Sequence, residues 1–188
     1  MHRKSTIPSQ AKLVFKGQIF DVYQWEQEMF DGTKEIFEKL KRQDTAMVIA
    51  ITQDKQIIVQ EEEQPGSGAF VSLPGGRIND DEDPLVGARR ELLEETGYES
   101  QDIELYGSDA PFGKIDWVVY HFIAKNCVYK SASTLDAGEK IKLRFVDFEE
   151  FVKIVDSESF RDVGIKNTLN KLRLTPSEFL KFQKVLGL

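Results

Sequence analysis

The sequence predicts an α/β domain built around a mixed sheet. Three observations carry this expectation: short β-rich apolar runs recur between turn residues, Asp83-Pro84 and Gly97 enclose one helix, and Asp147 and Thr175 mark two more helix starts near the C-terminus. A chain of 188 residues is long enough for one sizeable core with a small accessory element and short for two full domains.

Residues 11–30 (AKLVFKGQIFDVYQWEQEMF) and 34–43 (KEIFEKLKRQ) read as antiparallel strands, with Asp31 and Gly32 turning the chain between the last two. TAMVIAIT (45–52) and KQIIVQEEE (55–63) are β-rich runs joined by polar residues, a second hairpin. QPGSG (64–68) reads as a loop, and AFVSLPGG (69–76) as a strand ending in a Pro-Gly-Gly turn. Asp83 as N-cap, Pro84 at the first helical position and Gly97 as the stop give a helix over about 84–96. DIELYGSDA (102–110) and IDWVVYHFIAKNCVYK (115–130) follow as strands, the second long and apolar enough to be central in a sheet. SASTLDAGEK (131–140) is a polar loop and IKLRFVDF (141–148) a strand. Asp147 with Glu150 starts a helix by a capping box, and Thr175, Pro176 and Glu178 repeat the signal for a last helix.

Composition excludes several classes of function. No apolar run approaches the ~20 residues needed to span a bilayer, and MHRKSTIPSQAK at the N-terminus lacks the apolar stretch of a secretory signal. The lone Cys127 cannot form an intrachain disulfide, which fits a cytoplasmic protein. Of the net charge of −7, the segment 79–99, with eight acids and two arginines, carries −6. The acidity is local, and neither a nucleic-acid surface nor a membrane surface is expected.

Glu91, Glu94 and Glu95 stand at i, i+3 and i+4, which puts all three on one helix face. Like charges at this spacing destabilise a helix by a few tenths of a kcal/mol per pair, and the C-terminal half of the dipole disfavours them further. Leu85, Ala88 and Leu92 occupy another face and can pack on a sheet. A hard divalent cation, Mg²⁺ or Mn²⁺, would reverse the repulsion, because such ions take carboxylate, carbonyl and water oxygens. On the glutamates alone, a solvated acidic face is the plainer reading.

The surrounding spacing decides between them. Gly76, five residues, Glu82, seven residues, then Arg90-Glu91-Leu92-x-Glu94-Glu95-x-Gly97-Tyr98 resembles the Nudix box, GX5EX7REUXEEXGU with U a bulky apolar residue. The first eight specified positions agree, and Tyr98 stands where an aliphatic is commoner. The chain is thereby identified as a member of the Nudix superfamily, which implies a Nudix-like α/β/α sandwich and hydrolysis of a nucleoside diphosphate linked to another moiety. The resemblance implies Glu91, Glu94 and Glu95 as ligands of Mg²⁺ or Mn²⁺, with the Gly76 carbonyl beside the metal. It also implies that Arg90 orients the glutamates and that Glu82 supports the loop.

Outside the box the layout is similar to the ADP-ribose pyrophosphatase branch. Residues 1–43 look like that branch's N-terminal antiparallel element, often exchanged in a homodimer, and 44–188 like its hydrolase domain with C-terminal helices. Phe20, Tyr23 and Trp25 are candidates for stacking on the base of the substrate, although packing is the commoner role of such residues. The stretch AGEKIKLRFV resembles the place where the branch carries a mobile glutamate before a strand. Glu139 is therefore the candidate general base, with Glu94 and Arg90 beside it in the catalytic group. Two departures concern the substrate. Glu62–Pro65 (EEQP) stands where the branch often has an arginine, and Pro111 falls off the register of the branch's proline. Arg77, Lys114, or Lys39 with Arg42 are the candidates to replace the missing cation.

His121, in an apolar strand, reads as a packed or hydrogen-bonded histidine, and Cys127 as core. Ser67, Ser72 and Ser108 show no partnership for nucleophilic catalysis. The expected partner is a nucleotide-derived small molecule, with ADP-ribose or a related nucleotide sugar foremost. Nucleoside triphosphates, dinucleoside polyphosphates or NADH form the second reading, and a non-catalytic nucleotide sensor the third.

Overall fold

The computed structural model describes residues 5–135 and 137–188; His2 and Asp136 lie outside them. The first sheet is formed by β1 (Lys12–Lys16), β2 (Asp21–Glu28) and β3 (Lys34–Lys41), antiparallel in that order. Gly32, at φ +82°, makes the turn between β2 and β3. The chain then enters a larger sheet with β4 (Thr45–Thr52), β5 (Ile57–Gln64), β6 (Ser67–Ser72) and β7 (Gly75–Arg77). After α1 (Pro84–Thr96) come β8 (Tyr98–Glu99), β9 (Asp102–Asp109), β10 (Ile115–Asp116), β11 (Val119–Tyr129) and β12 (Lys140–Val146). Three helices close the chain: α2 (Phe148–Asp156), α3 (Val163–Arg173) and α4 (Pro176–Leu186).

The larger sheet runs β12-β5-β4-β11-β8, with β6 on β5, β7 on β4 and β9 on β11. β4 and β11 lie parallel at its centre, and β5 with β12 is antiparallel. A central strand covered on both faces reads as a continuous apolar run, which is what 45–52 is. Alternate residues of β4 face opposite layers. Ala46, Val48 and Ala50 join Ala88 and Leu92 of α1, whereas Ile49 and Ile51 join Phe151, Val155, Leu169 and Leu186 of the C-terminal helices. One helix covers one face and three cover the other, so the fold is the α/β/α sandwich that the resemblance implies. No helix among the described residues is long and apolar enough to cross a membrane.

The helix ends follow the chemistry of their caps. Asp83 accepts a hydrogen bond from Leu85 N at 3.0 Å, and Gly97 (φ +73°) closes α1 by donating to Leu93 O at 2.8 Å. A Cβ at residue 97 would come within 2.0 Å of Ser131 O, so only glycine lets the 131–135 segment cross the helix end. Asp147 accepts from Glu150 N at 2.8 Å, while the Glu150 carboxylate pairs with Arg144 instead of returning to the cap.

The structure corrects three sequence expectations. Residues 64–68 form a tight hairpin turn at Pro65-Gly66 and not a loop, because the β5–β6 ladder runs down to Gln64–Ser67. Thr175 makes no side-chain cap, and α4 begins on Pro176 at the first turn alone. The sequence marks two helix starts near the C-terminus, and the structure adds a third helix between them. This helix, α3, has no leading proline or capping box and is capped by Asp162, which accepts from Ile165 N at 2.9 Å.

His121 and Cys127 are both buried. His121 Nε2 is 2.8 Å from Asp109 Oδ2, and its Nδ1 lies 3.6 Å from Asp162 Oδ2, which links the sheet to the start of α3. Burial is the main cause that raises the Asp162 carboxyl. Burial likewise pushes the Cys127 thiol up to about 11, so it remains a protonated packing group at neutral pH.

The first sheet is far more exposed. Leu13, Val14, Phe15, Ile19, Phe30 and Ile36 all present apolar surface to solvent. Its ties to the rest of the chain run through β10, which pairs with β3 in parallel, and through Asp116, which accepts from the Ser5 and Thr6 hydroxyls at 2.6 and 2.8 Å.

Candidate active site

The box folds as strand β7, a loop over 78–83 and helix α1, and one side chain ties these pieces together. Arg90 donates from Nε and Nη2 to the two oxygens of Glu82, both at 3.0 Å. Its Nη1 reaches Glu91 at 2.7 Å and Glu94 at 3.0 Å, and its Nη2 also reaches the Arg77 carbonyl at 2.8 Å. The guanidinium pKa is driven up, first by the Glu82 hydrogen bonds, while Glu82 is lowered by the same contact. A planar fork of donors suits this arrangement, which a lysine could not reproduce.

Glu95 sits deeper. Its Oε2 accepts from Gly75 N at 2.8 Å and from Gln60 Nε2 at 2.9 Å. Burial is the main cause that pushes its pKa up to about 8, with Glu91 and Glu62 adding repulsion. Burial also raises Glu91, against the pull of Arg90, and the charges of Glu94 and Glu139 raise it further. At Gly76 a Cβ would lie 2.6 Å from the Glu91 carboxylate, so the Gly76 Cα is the wall against which that carboxylate rests.

β5 adds polar groups that the box does not contain. Gln60 and Glu62 stand two apart and therefore point to the same face, the one covered by α1. Gln60 is fully buried, with Ser72 Oγ at 3.2 Å from its Oε1, and Ser72 also donates to Glu62. Burial raises Glu62 first, and the charge of Glu139 raises it too. Sequence reading noted Glu62 only as the absence of a cation. The signal that would have found it is polar residues, Gln60 and Glu62, continuing the inward-facing register that begins at the buried Ile58.

Glu139 reaches the same place from across the fold. The segment before it is fastened to α1, since Thr134 N donates to Glu94 O at 2.6 Å and Lys130 N to Gly97 O at 2.8 Å. Gly138, at φ +99°, lies over Pro65, and Glu139 immediately precedes β12, which runs beside β5. Glu62 and Glu139 line one cavity of about 760 Å³ together with Phe70 and Ser159.

The aromatic candidates are elsewhere. Phe20, Tyr23 and Trp25 are half-buried in the first sheet, and none of them lines the Glu62–Glu139 cavity. Trp25 packs edge-on to Phe37, and Phe20 lies under the Arg42 guanidinium, 5.7 Å from its centroid. Arg77 and Arg42 share a second cavity, of about 490 Å³, and burial with the nearby Arg77 charge lowers Arg42. Lys114 lies over Phe37, and Lys39 donates to Thr6.

The donor set fits a hard divalent cation. Its oxygens are all carboxylate or carbonyl, and its negative charge is partly buried and self-repelling, which a cation of charge two would relieve. As they stand, Glu91 and Glu94 are engaged by Arg90 and Glu95 by Gln60 and Gly75, and no three such side chains among the described residues form a ready ion cage.

Comparison with known proteins agrees with this geometry. The NUDIX domain family matches residues 41–165. The ADP-ribose pyrophosphatase of Bacillus subtilis (strain 168) is 29% identical over 174 residues, covering 91% of this chain and 93% of that protein. The methanol dehydrogenase activator of Bacillus methanolicus is 30% identical over 176 residues, covering 92% and 91%. A solved structure described as an ADP compounds hydrolase superposes with a TM-score of 0.74 over 96% of each chain, at 19% identity. With the domain match lying over the whole box and the sheet that carries it, the chain belongs to the NUDIX family and is a Nudix hydrolase of the ADP-ribose pyrophosphatase-like kind.

Proposed function

We propose that the protein is a Mg²⁺-dependent hydrolase of ADP-ribose or a related nucleotide sugar. Water adds to one phosphorus, the bridging P–O bond breaks, and a nucleoside monophosphate and a sugar phosphate leave with the two protons released. Enzymes of this family generally use a divalent metal ion, which supplies charge screening of the pyrophosphate and acidifies the attacking water. Glu91, Glu94 and Glu95 would hold the ion, with the Gly76 carbonyl beside them. Arg90 fixes Glu91 and Glu94 from one side and ties the loop through Glu82. Glu139 takes the proton from water, from a loop that Gly138 lets bend.

The observation that carries this reading is the convergence of Glu62 and Glu139 on the half-buried box glutamates Glu91 and Glu95, each raising the pKa of another. An acidic face that merely solubilised the protein would be exposed and spread apart. The substrate class is supported by the name of the Bacillus subtilis relative. Incubation with ADP-ribose, NADH, a dinucleoside polyphosphate and nucleoside triphosphates, each with Mg²⁺ and Mn²⁺, tests it. The highest kcat/KM is expected for ADP-ribose with Mg²⁺, yielding AMP and ribose 5-phosphate. A higher value for another compound would replace the substrate. A second reading is a nucleotide-sensing module without turnover, to which inactivity on the whole panel would point; the Bacillus methanolicus relative is named as an activator of another enzyme.

Residues 1–43 are read as an element exchanged in a homodimer. The support is the exposed apolar side chains of β1 and β3 together with the open edge of β1, a combination that monomers seldom leave uncovered. In that assembly Phe20, Tyr23 and Trp25 would face the partner's substrate. Sedimentation at micromolar concentration should give twice the mass of the 21.5 kDa chain, and a monomer would remove the role of the three aromatics.

A further inference from the structure

Glu62–Pro65 offers no cation to an anionic substrate, yet the fold brings one from elsewhere in the chain. Phe160 bridges Val71 in parallel, Val71 N donates to Ser159 O and Arg161 N to Val71 O, both at 2.9 Å. This stitches residues 159–161 alongside β6. The Arg161 guanidinium is thereby laid on the Phe70 ring, its central carbon 3.6 Å from the ring centroid, and one Nη donates to Ser67 Oγ. Phe70 in turn lines the cavity that holds Glu62 and Glu139.

Arg161 has no carboxylate within ion-pair distance among the described residues, although its charge is felt at Glu62. The two lysines on the same cavity are differently placed, because Lys142 pairs with Glu61 at 3.1 Å and Lys140 approaches Glu63 at 3.8 Å. Arg161 is not itself a lining residue but stacks on one, Phe70, whereas Arg42 and Lys114 lie on aromatics away from the cavity and neither they nor Lys39 and Arg77 line it. Arg161 is therefore an exposed cation without an ion-pair partner among the described residues, stacked on a wall residue of a cavity that Glu62 and Glu139 also line.

We propose that Arg161, held on Phe70 beside the Glu62–Glu139 cavity, binds a phosphate of the substrate, replacing the cation absent from Glu62–Pro65. This rests on the hydrolase reading above. A guanidinium has five donors in one plane and matches phosphate oxygens two at a time. Stacking on Phe70 and the bond to Ser67 fix that plane in advance, so little side-chain freedom is lost on binding. The carboxylates of the cavity repel a bare pyrophosphate, and a cation held on Phe70 counters that repulsion. A residue whose sole work was to fasten β6 to the 159–161 segment would not need the charge, since backbone hydrogen bonds already join them.

The test measures kcat and KM of the wild type, Arg161→Gln and Arg161→Lys with saturating Mg²⁺, at two ionic strengths, on the best substrate of the panel. Melting temperatures are recorded beside them. Arg161→Gln removes the charge, and should raise KM about tenfold or more with kcat within about threefold. Arg161→Lys should recover part of the loss, and added salt should weaken the wild type more than Arg161→Gln. An unchanged KM in Arg161→Gln overturns the proposal, as does a lysine variant as weak as the glutamine one with no salt effect, which would indicate stacking on a base. If the wild type turns over nothing, the hydrolase reading fails. Calorimetric titration with inorganic pyrophosphate and Mg²⁺ then decides the role of Arg161, with equal affinity for wild type and Arg161→Gln counting against it.

Discussion

Replacing Glu139 with glutamine should lower kcat by ~10² or more, the usual scale for losing a general base, while KM shifts only a few fold. The substitution keeps the size of the side chain and removes its ability to take a proton. The surroundings argue for a functional role: Gly138 at φ +99° shapes the approach, the 131–135 segment is pinned to α1, and the Glu139 charge is felt at both Glu62 and Glu91. Three roles give three results. A general base gives a loss that extra Mg²⁺ does not restore, a metal ligand gives a loss that it does restore, and a surface carboxylate gives wild-type rates. Full activity would move the base to Glu94, Glu95 or another residue of the 131–140 loop.

Glu95→Gln should lower kcat by at least about tenfold with the fold intact, through loss of charge where the ion is held. The structure sharpens this by separating activity from stability. Burial pushes Glu95 up to about 8 from an ordinary 4.5, so folding of the metal-free protein takes up a proton there. Its contribution is fully present below the unfolded value and is lost as pH rises toward and through 8. The glutamine variant carries no such charge and can still accept from Gly75 N, so without metal it should melt no lower than the wild type, and increasingly higher as pH rises from about 4.5 toward 8. Reduced melting temperature at all pH values would show that the residue is structural. Unchanged turnover at saturating Mg²⁺ would remove Glu95 from the metal site.

The sequence by itself determined whatever depends on neighbours a few residues apart. Helical periodicity places Glu91, Glu94 and Glu95 on one face, Asp83-Pro84 and Gly97 fix the ends of α1, and the unbroken apolar run at 45–52 requires a strand covered on both sides. Arg90 was legible too, because its offsets from Glu82 and the glutamates are fixed within the box. Local signals failed at α3, whose start rests on the single cap of Asp162, and at Pro65-Gly66, whose composition suits a loop and a tight turn alike.

What only the tertiary structure decided is which distant segments meet the box. The strand order β12-β5-β4-β11 sets Gln60 and Glu62 against α1, and it carries Glu139 to the same cavity. The parallel bridge between Val71 and Phe160 delivers Arg161 across some ninety residues of chain to Ser67 and Phe70. Spacing along the chain cannot encode these meetings. They follow from burying both faces of one sheet at once, a condition on the whole fold that no short window of residues contains.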